Sequence, residues 1–292
     1  MIKLNTKKKG FFLLDIAYLA LTIVPILVGI VLKILTTPLA EGIAISGALI
    51  YFEIPMPIQN LVITESQINS WLVILSVLGF CLYITHGLSE RMPTKRQHFA
   101  EMAVTMCDKM VNGNMGEYFS SFSPFIAAIL ALSAYSSLLA LFGLYTPTSD
   151  INVVGGWAIL VFILITYYKF KCGPLIYIKS FGNPALMAPL NVISEIATPI
   201  SMAFRHYGNI LSGAVISVLL AAGLQGLSNI VLGWLPGFLG EFPFLRIGLP
   251  AVLSIYFDVF SAILQAYIFA MLSMLYISGG FPIEEYMKRK TN

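Results

Sequence analysis

The chain has 292 residues, 58% hydrophobic and 11% charged, with a formal net charge of +3. A soluble domain carries roughly 45–50% apolar and about 25% charged residues, so too little polar surface exists here to cover a soluble core. The composition excludes a disordered chain, a secreted disulfide scaffold and a nucleic-acid binder, and it points to a polytopic membrane protein.

A membrane helix needs about 20 mostly apolar residues. That length picks out six segments in chain order: Phe11–Leu32, Ile68–Gly87, Phe122–Tyr145, Ile151–Tyr168, Pro189–Leu224 and Gly248–Ser278. The first follows Lys7, Lys8 and Lys9, as a signal peptide would. Its apolar run is longer than the 7–15 residues of a signal core, so a retained helix is expected. Residues 1–64 read as this helix and its connection, and residues 65–292 as one membrane domain. Between the second and third segments, Gln97–Met115 reads as an interfacial helix. Ala100, Val104, Cys107 and Met110 line its apolar face, and a turn is expected at Asn112-Gly113. Asp150 and Asn152 are expected to cap and turn the start of the fourth segment. Cys81, Cys107 and Cys172 have no disulfide or zinc spacing.

Six crossings put Lys3, Lys7, Lys8, Lys9, Arg91, Lys95, Arg96, Lys109, Lys169, Lys171, Lys179, Lys288, Arg289 and Lys290 on one side, and Lys33 and Arg246 on the other. Basic loops stay cytoplasmic, so both termini are expected in the cytoplasm. The remaining basic residue, Arg205, falls inside the fifth segment.

An arginine at the centre of a membrane helix costs about 2.5–3.5 kcal/mol on insertion scales. On the helical period, Asn191, Ser194, Thr198, Ser201, Arg205, Asn209 and Ser212 share its face, opposite a surface of Ile, Leu, Met, Ala and Val. Such a stripe must face protein or water. A seam of Ser and Thr alone would only join helices; a central Arg with two Asn points to an ion path. Ser254, Asp258, Ser261 and Gln265 form a second stripe in the last segment, with Gln265 level with Arg205. Asp258 is a proton relay or an ion-pair partner of Arg205. Glu195, about 80° from the Arg face, is either the cytoplasmic end of a path or a solvated carboxylate. His206, about 100° round from Arg205, reads as a packed or interfacial residue. No phosphate-binding loop, dinucleotide motif, metal cluster or catalytic triad is present, so no cofactor or metal is expected.

Pro189-Leu-Asn-Val-Ile-Ser-Glu195, Ser201-Met-Ala-Phe-Arg205-His-Tyr-Gly208-Asn209, Ser212-Gly213 and Gln265-Ala-Tyr-Ile-Phe269 together resemble the signature of subunit a of F-type ATP synthases. Pro147-Thr-Ser-Asp150-Ile-Asn152 and the Gln97/Glu101 pair match as well. The resemblance spans roughly residues 65–280. It implies an all-α integral membrane protein of about six membrane helices, the last two long and tilted, plus a cytoplasmic interfacial helix. It further implies an ion-translocating stator in the cell membrane with two half-channels beside a c-subunit ring, peripheral-stalk b subunits and the rest of the synthase, carrying H⁺ or Na⁺. Arg205 matches the essential arginine. Asp258, Glu195, Gln265, Asn209 and Ser201 fall on the expected ion path. Many relatives carry an acidic residue directly after the glycine that Gly213 matches; here it is Ala214, which leaves the outer half-channel to Asp258. The competing readings are a stand-alone secondary transporter with an intramembrane Arg–Asp switch and a structural scaffold.

Overall fold

The structure, a computed structural model, describes residues 2–36, 47–57, 59–90, 94–174, 177, 188–234, 252–253 and 255–281, without the side chains of residues 2–11, 172 and 232. Arg91, Lys179, Arg246, Ser254, Lys288, Arg289 and Lys290, named above, lie outside the described residues, as do the side chains of Lys3, Lys7, Lys8 and Lys9.

The apolar runs form long helices because a backbone in lipid must satisfy its own hydrogen bonds. In order, the elements are α1 (Ile2–Thr36), β1 (Ile50–Ile54), β2 (Leu61–Thr64), α2 (Glu65–Thr85), α3 (Lys95–Met115), α4 (Ser123–Leu138), α5 (Ile151–Cys172), α6 (Ala188–Leu232) and α7 (Ala262–Gly279). A 3-10 turn at Glu117–Phe122 leads into α4, and a π-helical segment at Ile255–Ser261 leads into α7. Six stretches are long and apolar enough to cross a membrane: Phe12–Thr36, Glu65–Thr85, Glu117–Phe142, Ile151–Lys171, Ala188–Val231 and Ile255–Gly279. All six predicted spans are therefore present, and the protein is an all-α, multi-pass membrane protein.

The β1–β2 hairpin was not expected. It pairs Ile54 with Leu61 and Phe52 with Ile63 in antiparallel register, and marks one side of the bundle, the hairpin side. On that side Asn69 Nδ2 donates to the Tyr145 carbonyl at 2.8 Å, and Lys33 lies 3.3 Å from the buried Glu65. The opposite side carries α3. Two details of α3 differ from expectation. The helix runs through Asn112 and Gly113 and stops only at Gly116, whose φ of 83° suits a residue without Cβ. Its buried residues are Gln97, Ala100, Val111 and Met115, while Val104 is exposed.

α1 docks on α2 through close backbone approach. A Cβ on Gly79 would sit 2.7 Å from the Thr22 backbone N, and Ser76 Oγ donates to the Thr22 carbonyl. At the α3 side, Asp15 Oδ1 accepts from Arg96 at 3.0 Å and lies 2.9 Å from His86 Nδ1. The Asp15 carboxylate raises the pKa of Arg96, and that guanidinium also lies over the Tyr83 ring, 4.7 Å from its centroid. The largest buried cluster joins α3, α4, α5, α6 and α7 through Val111, Ile126, Val154, Met202, Phe269 and Met274.

Candidate functional site

α6 crosses the bundle with little of its surface buried. Met202, Ala203 and His206 face the core. Ser194, Ser201, Arg205 and Ser212 are exposed, and Asn191, Thr198 and Asn209 are half-buried. The polar stripe read from the sequence is thus partly uncovered, and apolar residues of the same helix such as Ile193, Phe204 and Leu219 are exposed too. Arg205 lies roughly 26 Å along the axis from Ala188 at 1.5 Å per residue, with Ile200 and Phe204 exposed beside it. It forms no ion pair among the described residues. The direct Arg205–Asp258 pair is not formed.

Two contacts and a shared cleft set the register between α6 and the last helix. Asn209 Nδ2 donates to Ser261 Oγ at 2.8 Å. Four residues on, a Cβ at Gly213 would meet the Phe257 ring at 3.2 Å. Near the other end, Glu195 shares a cleft with Leu275. Each step forward along α6 matches a step back along its partner, which counts Arg205 to about the level of Gln265. Gln265 is buried.

Asp258 lies half-buried within the π-helical Ile255–Ser261. In such a turn the backbone closes i to i+5 rather than i to i+4. The 4-3-4 spacing that placed Asp258, Ser261 and Gln265 on one stripe assumed regular α winding, and the wide turn offsets Asp258 from it. The sequence Ile-Tyr-Phe-Asp-Val-Phe-Ser gives no sign of this.

Glu195 is half-buried and paired. Lys169 Nζ lies 2.6 Å from each of its carboxylate oxygens, and Tyr177 Oη donates to it at 3.4 Å. Burial, with the Glu195 carboxylate adding to it, pushes the Tyr177 phenol above its ordinary pKa. The pair lines a cleft of about 160 Å³ with Thr198, Tyr276 and Gly280 between α5, α6 and α7. Pro199 has no N–H to return to the Glu195 carbonyl, which leaves one more acceptor in this region. Lys169 was read in the sequence only as a marker of sidedness, and no sequence signal tied it to Glu195.

Asp150 caps α5, as expected, by accepting from Asn152 N at 2.9 Å, and also accepts from Ser66 Oγ. His206 is fully buried, as its packed reading requires. Among the described residues no group of His, Cys, Asp and Glu could hold a metal ion.

The profile of the ATP synthase A chain family matches residues 67–278. A protein named ATP synthase subunit a from Desulforamulus reducens is 32% identical over 218 residues, covering 73% of this chain and 78% of the relative. Its counterpart from Legionella pneumophila subsp. pneumophila is 29% identical, covering 78% and 91%. A third, from Propionigenium modestum and named as sodium ion specific, is 25% identical over 286 residues, covering 87% and 90%.

Proposed function

We propose that this chain, which belongs to the ATP synthase A chain family, conducts ions through two half-channels that meet at Arg205 and couples their flow to rotation of a c-subunit ring. The observation that carries this reading is the partly exposed polar face of α6, with Arg205 at its centre and no carboxylate paired to it among the described residues. A guanidinium in contact with lipid is costly, so this face needs a protein or water partner. A ring whose carboxylates pass one after another supplies it. The permanently charged guanidinium stabilises each carboxylate in its ionised form only while it passes.

Asp258, Ser261, Asn209 and Gln265 line the approach from the hairpin side. The cleft at Glu195 and Thr198, continued by Ser201, lines the approach from the α3 side. Arg205 separates the two and blocks a direct leak. The transported ion is H⁺ or Na⁺, worth about 2.3 kcal/mol per charge per 100 mV. The α3 side is cytoplasmic, as the basic residues require, and the complex, with b subunits as its peripheral stalk, sits in the cell membrane. Membership of the ATP synthase A chain family supports the stator over the stand-alone transporter reading.

The test is purification in mild detergent followed by vesicle assays. The chain should co-purify with small hairpin proteolipids, and Arg205→Ala should abolish ATP-driven ion pumping. Full pumping in that variant would remove Arg205 from the mechanism.

A further inference from the structure

The carboxylate at the α3-side approach is already occupied. Lys169 Nζ lies 2.6 Å from each oxygen of Glu195, equidistant from the two. Lysine at this helix end does not have to point there. Lys171, two residues on in the last turn of α5, donates to Tyr118 Oη at 3.3 Å and lies over the Tyr118 and Tyr168 rings. A lysine near a membrane surface ordinarily carries its ammonium to the water. Lys169 turns into the cleft instead, and Gly280 at the end of α7 makes room for its stem. A Cβ at Gly280 would lie 3.0 Å from Lys169 Cε and 3.1 Å from its Cγ. The ammonium also lies over the Tyr177 ring, 5.7 Å from its centroid. Stem and head are thus both held.

Hard metal cations bind by gathering about six oxygens, and a carboxylate offering both of its oxygens is the natural anchor. Lys169 Nζ fills the place from which both are reached. A metal ion entering the cleft would have to displace a cation that is covalently tethered and packed along its stem. A half-buried carboxylate without that partner would collect such ions and obstruct the approach. A proton needs no seat of its own. It passes along water in the cleft of about 160 Å³, each water taking one proton on its oxygen and releasing another. Ammonium and carboxylate cancel, so the pair does not repel it.

We propose that Lys169 is a specificity-determining residue of the ion path: its ammonium holds the metal-ion seat on Glu195, so that the α3-side approach passes protons and turns metal cations away. This inference deepens the stator reading and rests on it.

The experiment uses the assembled complex in membrane vesicles, with Cys81, Cys107 and Cys172 replaced by serine and Thr198→Cys introduced on the cleft wall. Proton flux under an imposed potential is followed while silver ion, or the uncharged methyl methanethiosulfonate, is added on the α3 side. Silver is a metal monocation whose entry is read as loss of flux. With Lys169 in place, silver is expected to act slowly. Lys169→Gln should speed the silver reaction about tenfold or more, while the uncharged reagent changes by less than about twofold. Lys169→Arg, which keeps the cation, should retain the slow silver reaction. An unchanged silver rate in Lys169→Gln overturns the proposal. An equal rise for both reagents does so too, since it reports loosened packing. So does an equal silver gain in Lys171→Gln, which reports general surface charge.

A second measurement needs no variant. Wild-type proton flux should stay constant when Na⁺ replaces choline on the α3 side at fixed ionic strength. A fall overturns the proposal even if Lys169→Gln does not assemble, and so does transport carried by Na⁺. Arg205→Ala runs in parallel: wild-type pumping in that variant defeats the stator reading itself, independently of the Lys169 result.

Discussion

Asn209 and Ser261 join α6 to the start of the last helix by a single side-chain hydrogen bond of 2.8 Å. That bond, with the Gly213–Phe257 approach, sets the register that counts Gln265 to about the level of Arg205. Asn209→Leu leaves Ser261 without its partner and should cost about 1–3 kcal/mol. The expected outcome is a lower melting temperature of the detergent-purified complex together with slower ion pumping. Ser261→Ala should slow pumping less, because a half-buried Asn209 retains access to other partners.

Gly213 tests the same interface by sterics. An added methyl would meet the Phe257 ring at 3.2 Å, and that ring can give by a few tenths of an ångström. Gly213→Ala is therefore expected to be tolerated, whereas Gly213→Ile should force α6 away from the Asp258 segment at a cost of about 1–3 kcal/mol. Cross-linking between cysteines placed at Asn209 and Ser261 measures the separation: the Ile variant should lose the cross-link and the Ala variant should keep it.

The Lys169–Glu195 pair is 23% and 18% exposed at its two side chains, intermediate between a surface pair and a fully desolvated one. Lys169→Ala should destabilise the purified complex by about 1–3 kcal/mol on that basis. The exchange Lys169→Glu with Glu195→Lys should restore much of the stability, read as melting temperature. Pumping should not recover with it, because a cation then occupies the path position.

Asp150 terminates α5 and also receives the Ser66 hydroxyl of α2. Loss of a helix cap costs about 1 kcal/mol. Asp150→Ala should exceed that, since Ser66 is fully buried and is left with one fewer partner. Asp150→Asn, which keeps an acceptor, should fall between the two in thermal unfolding.

Gly79 carries the docking of α1. A Cβ there would lie 2.7 Å from one backbone atom of α1 and 2.8 Å from another, and backbone cannot swing aside as a side chain can. Gly79→Leu should detach α1 from α2, exposing Ser76 and Thr22 to lipid-soluble labelling reagents. The Asp15–Arg96 pair should then fail with it, and Arg96 should become accessible to dicarbonyl reagents.

The spans were legible because twenty apolar residues in a row have few alternatives. The polar stripe of α6 was legible because seven residues from Asn191 to Ser212 repeat at the helical period. The hairpin was not: Ile50–Ile54 and Leu61–Thr64 are too short for periodicity to separate from a connecting loop. The turn expected at Asn112-Gly113 lost to tertiary packing, since the buried Val111 and Met115 hold the helix through it. Pairings such as Lys33 with Glu65, Asp15 with Arg96 and Lys169 with Glu195 join residues distant in sequence, and no local pattern encodes them. The apolar residues around Asp258 read as ordinary winding, so the widened turn stayed hidden.

That widened turn separates azimuth from chemistry. Removing one residue between Ile255 and Ser261 would let the backbone close as a regular coil, turning the residues inside that segment about the axis while the helix beyond it nearly kept its bearing, because the wide turn absorbs the extra residue. The acid would then change its bearing toward α6 without any change in its own identity. A lineage of such chains can therefore re-aim its outer carboxylate by insertion and deletion alone, leaving the arginine and the glutamine at its level where they stand.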